Sequence, residues 1–122
     1  MAERIRLAAS PDSPGLARHF VADLLARWDY GHLIPDVVLM TSEIATNAVI
    51  HAGEPFSVGV EDLGNGVRVT VDDPVPALPT RRQATPVDSS GRGLQIVDAL
   101  ASASGASRNV GDGKSVWFEA RT

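Results

Sequence analysis

The sequence contains no cysteine, 5% aromatic residues and only three histidines. Without cysteine the chain can form neither a disulfide nor a thiolate metal site, which suits a cytosolic protein. The three histidines are not grouped in the sequence, so we do not expect a zinc site. Any binding chemistry must therefore come from other side chains.

Long apolar runs and an excess of basic charge are also missing. No apolar run approaches the roughly 20 residues that a membrane span needs, and the residues from Met1 to Arg4 do not begin a secretory signal. We therefore expect a cytoplasmic protein with no membrane partner. The net charge of −4 disfavours nucleic acid as a direct partner, because its phosphates would be repelled at long range.

What is present is an ordinary globular composition, with 43% hydrophobic and 21% charged residues among 122. This length predicts a single domain over residues 1–122. Hydrophobic periodicity predicts a two-layer α/β sandwich, with about three helices on one face of a mixed, mostly antiparallel sheet of about five strands. The other face is expected to be partly solvated or reserved for a partner. The predicted strands are Arg4–Ala9, Phe56–Glu61, Val67–Asp72, Ser107–Val110 and Lys114–Arg121, and the predicted helices are Pro14–Trp28, Pro35–Gly53 and Gly91–Ala101.

Local signals define the ends of these elements and one core stripe. Ser13 before Pro14 predicts an N-cap for the first helix. An Asn-Gly dipeptide between alternating runs predicts a hairpin. The core-facing stripe of the first helix is predicted to consist of Leu16, Phe20, Val21, Leu24, Leu25 and Trp28.

A polar stripe runs along the second predicted helix. Glu43, Asn47 and His51 recur at four-residue intervals, which places them on one helix face. A carboxylate and an amide one turn apart can bind a divalent cation through oxygen or orient a reactive hydroxyl. Apolar Met40 and Ile50 flank the stripe, which predicts a covered face and a raised proton affinity for Glu43. Taken alone, such a pair is more often part of an exposed helix, and His51, close to the helix C-terminus, can simply stabilise the helix dipole or cap a carbonyl group.

Two later segments add a candidate nucleotide site. Asp73 ends a predicted strand, where its carboxylate can accept a hydrogen bond from the adenine amine, although Asp-Pro is also a common turn start. After an aperiodic loop over about residues 74–90, Gly91 and Gly93 open a helix whose free N–H groups suit phosphate. A loop of that length is usually a functional lid or disordered. The order of these segments indicates a nucleotide site more strongly than any one of them.

Together these segments resemble the GHKL ATPase/kinase superfamily, which includes gyrase, heat-shock chaperones, histidine kinases and mismatch-repair ATPases and has the Bergerat ATP-binding fold. T-S-E-I-A-T-N-A-V-I-H-A is similar to its N box, V-T-V-D-D-P-V-P-A-L-P to its first glycine box and S-G-R-G-L-Q-I-V-D-A-L-A to its second. The similarity spans Arg4 to Ala120. The short length, the N-A-V-x-H-A ending and the V-W-F-E strand resemble the anti-sigma-factor serine kinase branch.

The resemblance implies a role for each matching residue. Glu43 corresponds to the general base, Asn47 to the Mg²⁺ ligand and Asp73 to the carboxylate that reads adenine, in preference to Asp72. Ser115 stands where a threonine usually lies near adenine. The phosphate-binding turn after the ATP lid corresponds to Gly91, Arg92, Gly93 and Leu94, and the alternatives for steadying the γ-phosphate are Arg81, Arg82 and Arg92.

The branch implies an anti-sigma factor with serine kinase activity. Such a protein binds ATP and Mg²⁺ and transfers the γ-phosphate to a serine of an anti-sigma-factor antagonist, with a sigma factor as competing partner. Homodimerisation is implied by resemblance only. Val75 and Ala77 replace both glycines of the usual D-x-G-x-G box, which stiffens the backbone near the base.

This departure keeps two alternatives open. One is a nucleotide-sensing module that sequesters a regulatory partner without phosphotransfer. The other is a scaffold domain with a vestigial pocket. A histidine kinase is less well supported, because the sequence offers no helix pair that bears a phosphoacceptor histidine.

Overall fold

The computed structural model describes residues 1–75, 89–108 and 113–122, and for residues 89–94 it describes the backbone only. These ranges contain five strands and three α-helices in two layers, as predicted. The predicted lid falls largely on residues 76–88, outside the described residues. The strands are β1 (Ala2–Leu7), β2 (Phe56–Asp62), β3 (Gly66–Asp73), β4 (Ala103–Arg108) and β5 (Lys114–Arg121), and the helices are α1 (Ser13–Arg27), α2 (Ile34–Asn47) and α3 (Ser89–Leu100).

The strands form one open sheet in the order β1-β2-β3-β5-β4. All pairings between the described strands are antiparallel, so this part of the sheet is antiparallel rather than mixed. The predicted β2–β3 hairpin is confirmed, with Asp62 opposite Val67. Gly66, at φ 153°, lies so close to β5 that a Cβ there would be 2.1 Å from the carbonyl oxygen of Ala120.

Alternation along the strands separates an inner face, covered by the helices, from an outer face. The inner face is apolar, and burial of each such side chain contributes roughly 1.5–3 kcal/mol. The outer face carries charged and polar residues, including Arg4, Arg68 and Asp72, in the alternation typical of a half-solvated antiparallel sheet. The fully buried inner residues are Phe56, Val58, Val60, Val67, Val69, Val71 and Phe118.

Helix α1 packs on α2 and corrects two details of the prediction. Ser13 does not cap the helix: it is the first helical residue, and its Oγ donates to the carbonyl oxygen of Ala8 at 2.6 Å. Leu16 is 52% exposed, whereas Ala17 is fully buried. A strict four-residue repeat drifts around a helix of 3.6 residues per turn, so the start of the stripe turns away from the core.

Helix α2 continues through a π-helical turn, Ala48–Ala52, and ends at Gly53 in the left-handed conformation, which confirms the predicted extent. The helical stretch Gly31–Ala52 is, by length and mean hydropathy, long and apolar enough to cross a membrane. The expectation from the sequence missed this because it considered uninterrupted apolar runs. A few polar residues, such as Asp36 and Glu43, break the run in α2, but the mean hydropathy of the whole stretch remains high. The core helix of a soluble protein passes the same test, and Val37, Met40 and Ile44 are buried in this core.

The third helix and the fourth strand begin earlier than predicted. Helix α3 starts at Ser89 instead of Gly91. Strand β4 begins at Ala103 instead of Ser107, and the end predicted for it at Val110 lies outside the described residues. Apart from Arg108, β4 consists of small residues with no hydrophobic alternation, so only its pairing with β5 defines it as a strand.

Candidate functional site

Glu43 lies on α2 and is partly buried. This burial raises the pKa of its carboxyl group, since removal from water disfavours the charged form. The direction of the shift is the one predicted from the apolar neighbours of Glu43 in the sequence. A carboxylate with raised proton affinity suits a general base near neutral pH.

Asn47 is the last residue of α2, one turn beyond Glu43. Its side-chain oxygen Oδ1 is buried and has no hydrogen-bond partner within the part of the chain that the structure describes. A buried amide oxygen without a partner costs about 1–3 kcal/mol, and such a group calls for an explanation. An oxygen ligand of this kind fits Mg²⁺, which prefers hard oxygen donors.

His51 lies in the π-helical turn that follows Asn47. The helix widens after Asn47, where the amide of Gly53 bonds to the carbonyl oxygen of Ala48, five residues earlier. The side chain of His51 is exposed. Single π-turns of this kind occur frequently at functional sites.

Asp73 ends β3 on the inner face, on the same side of the sheet as the helices. Its side chain is 2% exposed and forms an ion pair with Lys114, whose Nζ lies 3.1 Å from Oδ1 and 3.0 Å from Oδ2. The backbone amide of Val75 also donates to Oδ1, at 2.8 Å. The expected acceptor carboxylate is therefore buried, ionically paired and fixed in a turn.

Gly113, the residue before β5, lies against the end of β3. It adopts φ 92°, and a Cβ there would lie 2.2 Å from the carbonyl oxygen of Asp73 and 3.0 Å from Cα of Pro74. Only glycine permits this approach. Gly113 is thus a positioning residue for the backbone that carries Asp73.

Ser115 lies one position beyond Lys114 in β5. Its side chain is on the outer face of the sheet, where Oγ donates to the carboxylate of Asp72. The residue on the inner face opposite Asp73 is Lys114. Ser115 and Asp73 thus lie on opposite faces, because one position along a strand changes the face, and the role of Ser115 near adenine stays a prediction.

The glycine turn lies in the first turns of α3. Ser89 is the first described residue of this helix, and the N–H groups of the first turn of a helix have no intrahelical partner. Positive potential at that end suits phosphate. The side chains of Arg92 and Leu94 and the whole of Arg81, Arg82 and Ala77 lie outside the described residues, and Gly91 and Gly93 are described by their backbone alone.

The fold brings three of the predicted segments to one side of the sheet. Helix α2, which carries Glu43 and Asn47, packs against α3 and contacts β3 and β5. Asp73 projects from β3 toward this helical layer. Two residues that sequence reasoning passed over, Gly113 and Lys114, complete the strand end; the Gly-Lys step before the last strand is the only sequence signal for them.

A model of the histidine kinase-like ATPase domain matches residues 7–119. Because this match covers most of the sequence, the chain belongs to the histidine kinase-like ATPase domain family. This finding confirms the resemblance identified from the N box and the glycine boxes. ATP is the nucleotide that membership of this family implies.

Among solved structures, the chain is similar to the crystal structure of the RsbU and RsbW domains of Rv1364c from Mycobacterium tuberculosis, with a TM-score of 0.75 and 23% sequence identity. The match covers 99% of this chain and 32% of that chain, so the present sequence spans about a third of its length. At this identity the likeness shows the fold, and it confirms the predicted architecture. Curated proteins give no match.

Proposed function

We propose that this chain is an ATP-dependent protein serine kinase of the anti-sigma-factor type. The observation that carries the proposal is the pair formed by Glu43 and Asn47: a partly buried carboxylate with a raised pKa lies one helical turn before a buried amide oxygen without a partner among the described residues. Neither feature stabilises the folded chain. Both are what phosphoryl transfer requires, namely a base and a ligand for the metal that accompanies ATP.

In the proposed complex the nucleotide lies between α2 and α3, with its base toward Asp73 and its phosphates toward the start of α3. The carboxylate of Asp73 accepts a hydrogen bond from the exocyclic amine of adenine. The free backbone N–H groups near Gly91 donate to phosphate oxygens. Asn47 Oδ1 would hold Mg²⁺, which when bound neutralises charge on the phosphates.

Glu43 acts on the acceptor. Its carboxylate takes the proton of an incoming serine hydroxyl while the serine oxygen bonds to the γ-phosphorus and the bond from that phosphorus to the bridging oxygen breaks. ADP leaves, and the proton remains on Glu43 until solvent removes it. Orientation and charge neutralisation supply most of the rate enhancement in such transfers.

The acceptor we propose is a serine on an anti-sigma-factor antagonist, with a sigma factor as the competing partner. The similar solved structure contains an RsbW domain, and the sequence motifs resemble the anti-sigma-factor kinase branch. We expect no direct contact with nucleic acid, because the net charge is −4. A homodimer and a cytoplasmic location belong to this proposal as well.

The second candidate is a nucleotide-sensing module that binds ATP and sequesters its partner without phosphotransfer. Val75 favours it, since a branched residue replaces the first glycine of the usual box two positions after Asp73. Intact Glu43 favours the kinase. The two candidates share nucleotide binding and differ only in the product.

Two measurements test the proposal. Calorimetric titration of the wild-type chain with Mg-ATP examines binding, and incubation with labelled ATP and candidate antagonist proteins examines transfer. We expect a phosphoserine product from the wild type and, in Glu43→Ala, unchanged ATP affinity with no product. ATP binding without any product would favour the sensing module. No thermal shift with Mg-ATP or Mg-ADP would leave only a scaffold with a vestigial pocket.

A further inference from the structure

Lys114 is the only lysine in the sequence; all other permanently charged basic side chains are arginine. Lysine side chains are rarely buried unless they are paired. Here the side chain is 9% exposed, and it points from β5 into the inner face beside Asp73. The single lysine of the chain thus lies inside the candidate nucleotide site.

The ammonium group of Lys114 is fully engaged in this position. It has three N–H donors, and three acceptors surround it: Asp73 Oδ1 at 3.1 Å, Asp73 Oδ2 at 3.0 Å and the carbonyl oxygen of Val75 at 3.1 Å. The carboxylate is engaged as well, because Oδ1 also accepts from the amide of Val75. The contact is a closed, charge-assisted hydrogen-bond cluster.

This cluster leaves no open approach to the carboxylate among the described residues. With 2% of its side chain exposed, Asp73 can accept a donor from a ligand only where another donor departs. The amide of Val75 is part of the backbone turn, whereas Lys114 has a flexible four-carbon side chain. Lys114 is therefore the donor that a nucleobase amine must replace.

From this geometry we propose that Lys114 gates the base pocket: its ammonium occupies, in the free protein, the position on Asp73 that the nucleobase amine takes in the complex. This inference rests on the proposed function, because it assumes that Asp73 reads the base. Binding exchanges a charged internal donor for a neutral donor of the ligand. Separating a buried ion pair is costly, so Lys114 weakens the binding of ligands that carry the base and leaves the binding of phosphate chains without a base unchanged.

The single lysine permits a test on the unmodified chain. Acetylation with an N-hydroxysuccinimide ester can be followed by mass spectrometry on the peptide that ends at Arg121. We expect Lys114 of the free protein to react at least about tenfold more slowly than in the urea-unfolded chain, as a buried group that is exposed only by local opening. Saturating Mg-ATP should then raise its rate severalfold, and Mg-tripolyphosphate, which lacks the base, should not. The exposed α-amino group of Met1 serves as internal control.

A matched pair of variants gives a second, independent test by calorimetry. Lys114→Thr removes the gate and puts a hydroxyl in place of the ammonium-bearing chain, and we expect it to bind Mg-ATP about tenfold more tightly than the wild type, equivalent to about 1.4 kcal/mol. Lys114→Arg keeps the charge and should bind like the wild type. Affinity for Mg-tripolyphosphate should be the same in all three proteins.

The outcomes separate this inference from the proposed function. If Mg-ATP binds the wild type but leaves Lys114 equally or less reactive, or if Lys114→Thr binds it no more tightly, the gate is refuted and the kinase proposal stands. If neither Mg-ATP nor Mg-tripolyphosphate binds any of the proteins, the proposed function itself fails and the gate fails with it. Should Lys114→Thr not fold, the acetylation rates of the wild type still decide.

Discussion

Asp72 and Asp73 are adjacent in the sequence, but their carboxylates lie on opposite faces of the sheet. Asp72 forms an ion pair with Arg4 at 2.9 Å on the outer face, whereas Asp73 is paired with Lys114 on the inner face. Successive side chains of a strand alternate between faces, so a shift of one residue in register would exchange the two. The pairing of β3 with β5 therefore decides which carboxylate can meet a nucleotide.

The first prediction compares these two carboxylates. Asp73→Asn should weaken Mg-ATP binding by at least about a hundredfold, roughly 2.7 kcal/mol, because the charged acceptor for the base is lost. Asp72→Asn makes the same chemical change on the outer face, where an exposed ion pair contributes about 0–1 kcal/mol, and should leave the affinity unchanged. Isothermal titration measures both, alongside thermal unfolding, since Asp73→Asn leaves Lys114 buried without its counter-charge. Equal losses in the two variants would contradict the assignment.

The second prediction concerns the amide oxygen of Asn47. Asn47→Ala removes the proposed ligand and should abolish the Mg²⁺-dependent part of ATP binding, with an affinity loss of about tenfold or more. Asn47→Asp retains an oxygen at the same position and should retain the Mg²⁺ dependence. Titrations of ATP with Mg²⁺ and with EDTA measure this difference. The ligand role is refuted if Asn47→Ala shows the same response to Mg²⁺ as the wild type.

The third prediction follows from the raised pKa of Glu43. A carboxyl group whose pKa is higher in the folded than in the unfolded chain favours folding below its unfolded value of about 4.5, and this contribution is lost as the pH rises through the folded pKa. Glu43→Gln removes the ionisation. It should therefore unfold at a higher temperature than the wild type at pH 7, while the two should converge below the unfolded value.

Thermal unfolding from pH 4 to pH 8 measures this pH dependence. Asp36→Asn is a suitable control, because Asp36 is an exposed carboxylate in the first turn of the same helix. A stability difference between Glu43→Gln and the wild type that is the same at every pH would show that ionisation is not its cause. If Glu43→Gln is more stable than the wild type at pH 7 and has lost transfer activity, it shows the trade-off between stability and activity that is expected of a functional group.

The fourth prediction concerns the close approach at Gly113. Gly113→Ala places a Cβ 2.2 Å from the carbonyl oxygen of Asp73, so the strand end must shift, and we expect a loss of about 3 kcal/mol or more in the free energy of unfolding together with weaker ATP binding. Gly64 has a similar φ of 88°, but beyond its chain neighbours no atom of the described residues lies within 4 Å of the position that a Cβ would take. Gly64→Ala should therefore cost only the conformational strain, about 1–2 kcal/mol. Denaturant unfolding measures both; equal losses would rule out the steric contribution.

Much of the fold was predictable because its signals are local. The extent of α2 followed from Pro35 and Gly53, and the β2–β3 hairpin followed from alternation on both sides of an Asn-Gly turn. Strand β4 was placed too late, since its small residues carry no hydrophobic period and its pairing partner lies in β5. Leu16 was misplaced because a four-residue repeat does not match the helical period.

For the site, the sequence predicted several of the functional residues but not the contacts that these residues make. Glu43 and Asn47 were found from a four-residue interval within one helix, and the raised pKa of Glu43 followed from its apolar neighbours. The π-helical turn in which His51 lies was not predicted, because no sequence signal indicates one. The outer-face position of Ser115 and its bond to Asp72 were not predicted, because they depend on the pairing of β5 with β3.

The amino-acid sequence by itself determined the elements, the order of the motifs and the family, because hydrophobic period, turn residues and short motifs act over a few neighbouring positions. The tertiary structure alone decided that Lys114, forty-one positions from Asp73 in the chain, pairs with it. It also decided that the approach of Gly113 fixes that strand end. Contacts between strands depend on register, and register is set by the packing of the whole sheet against its helices.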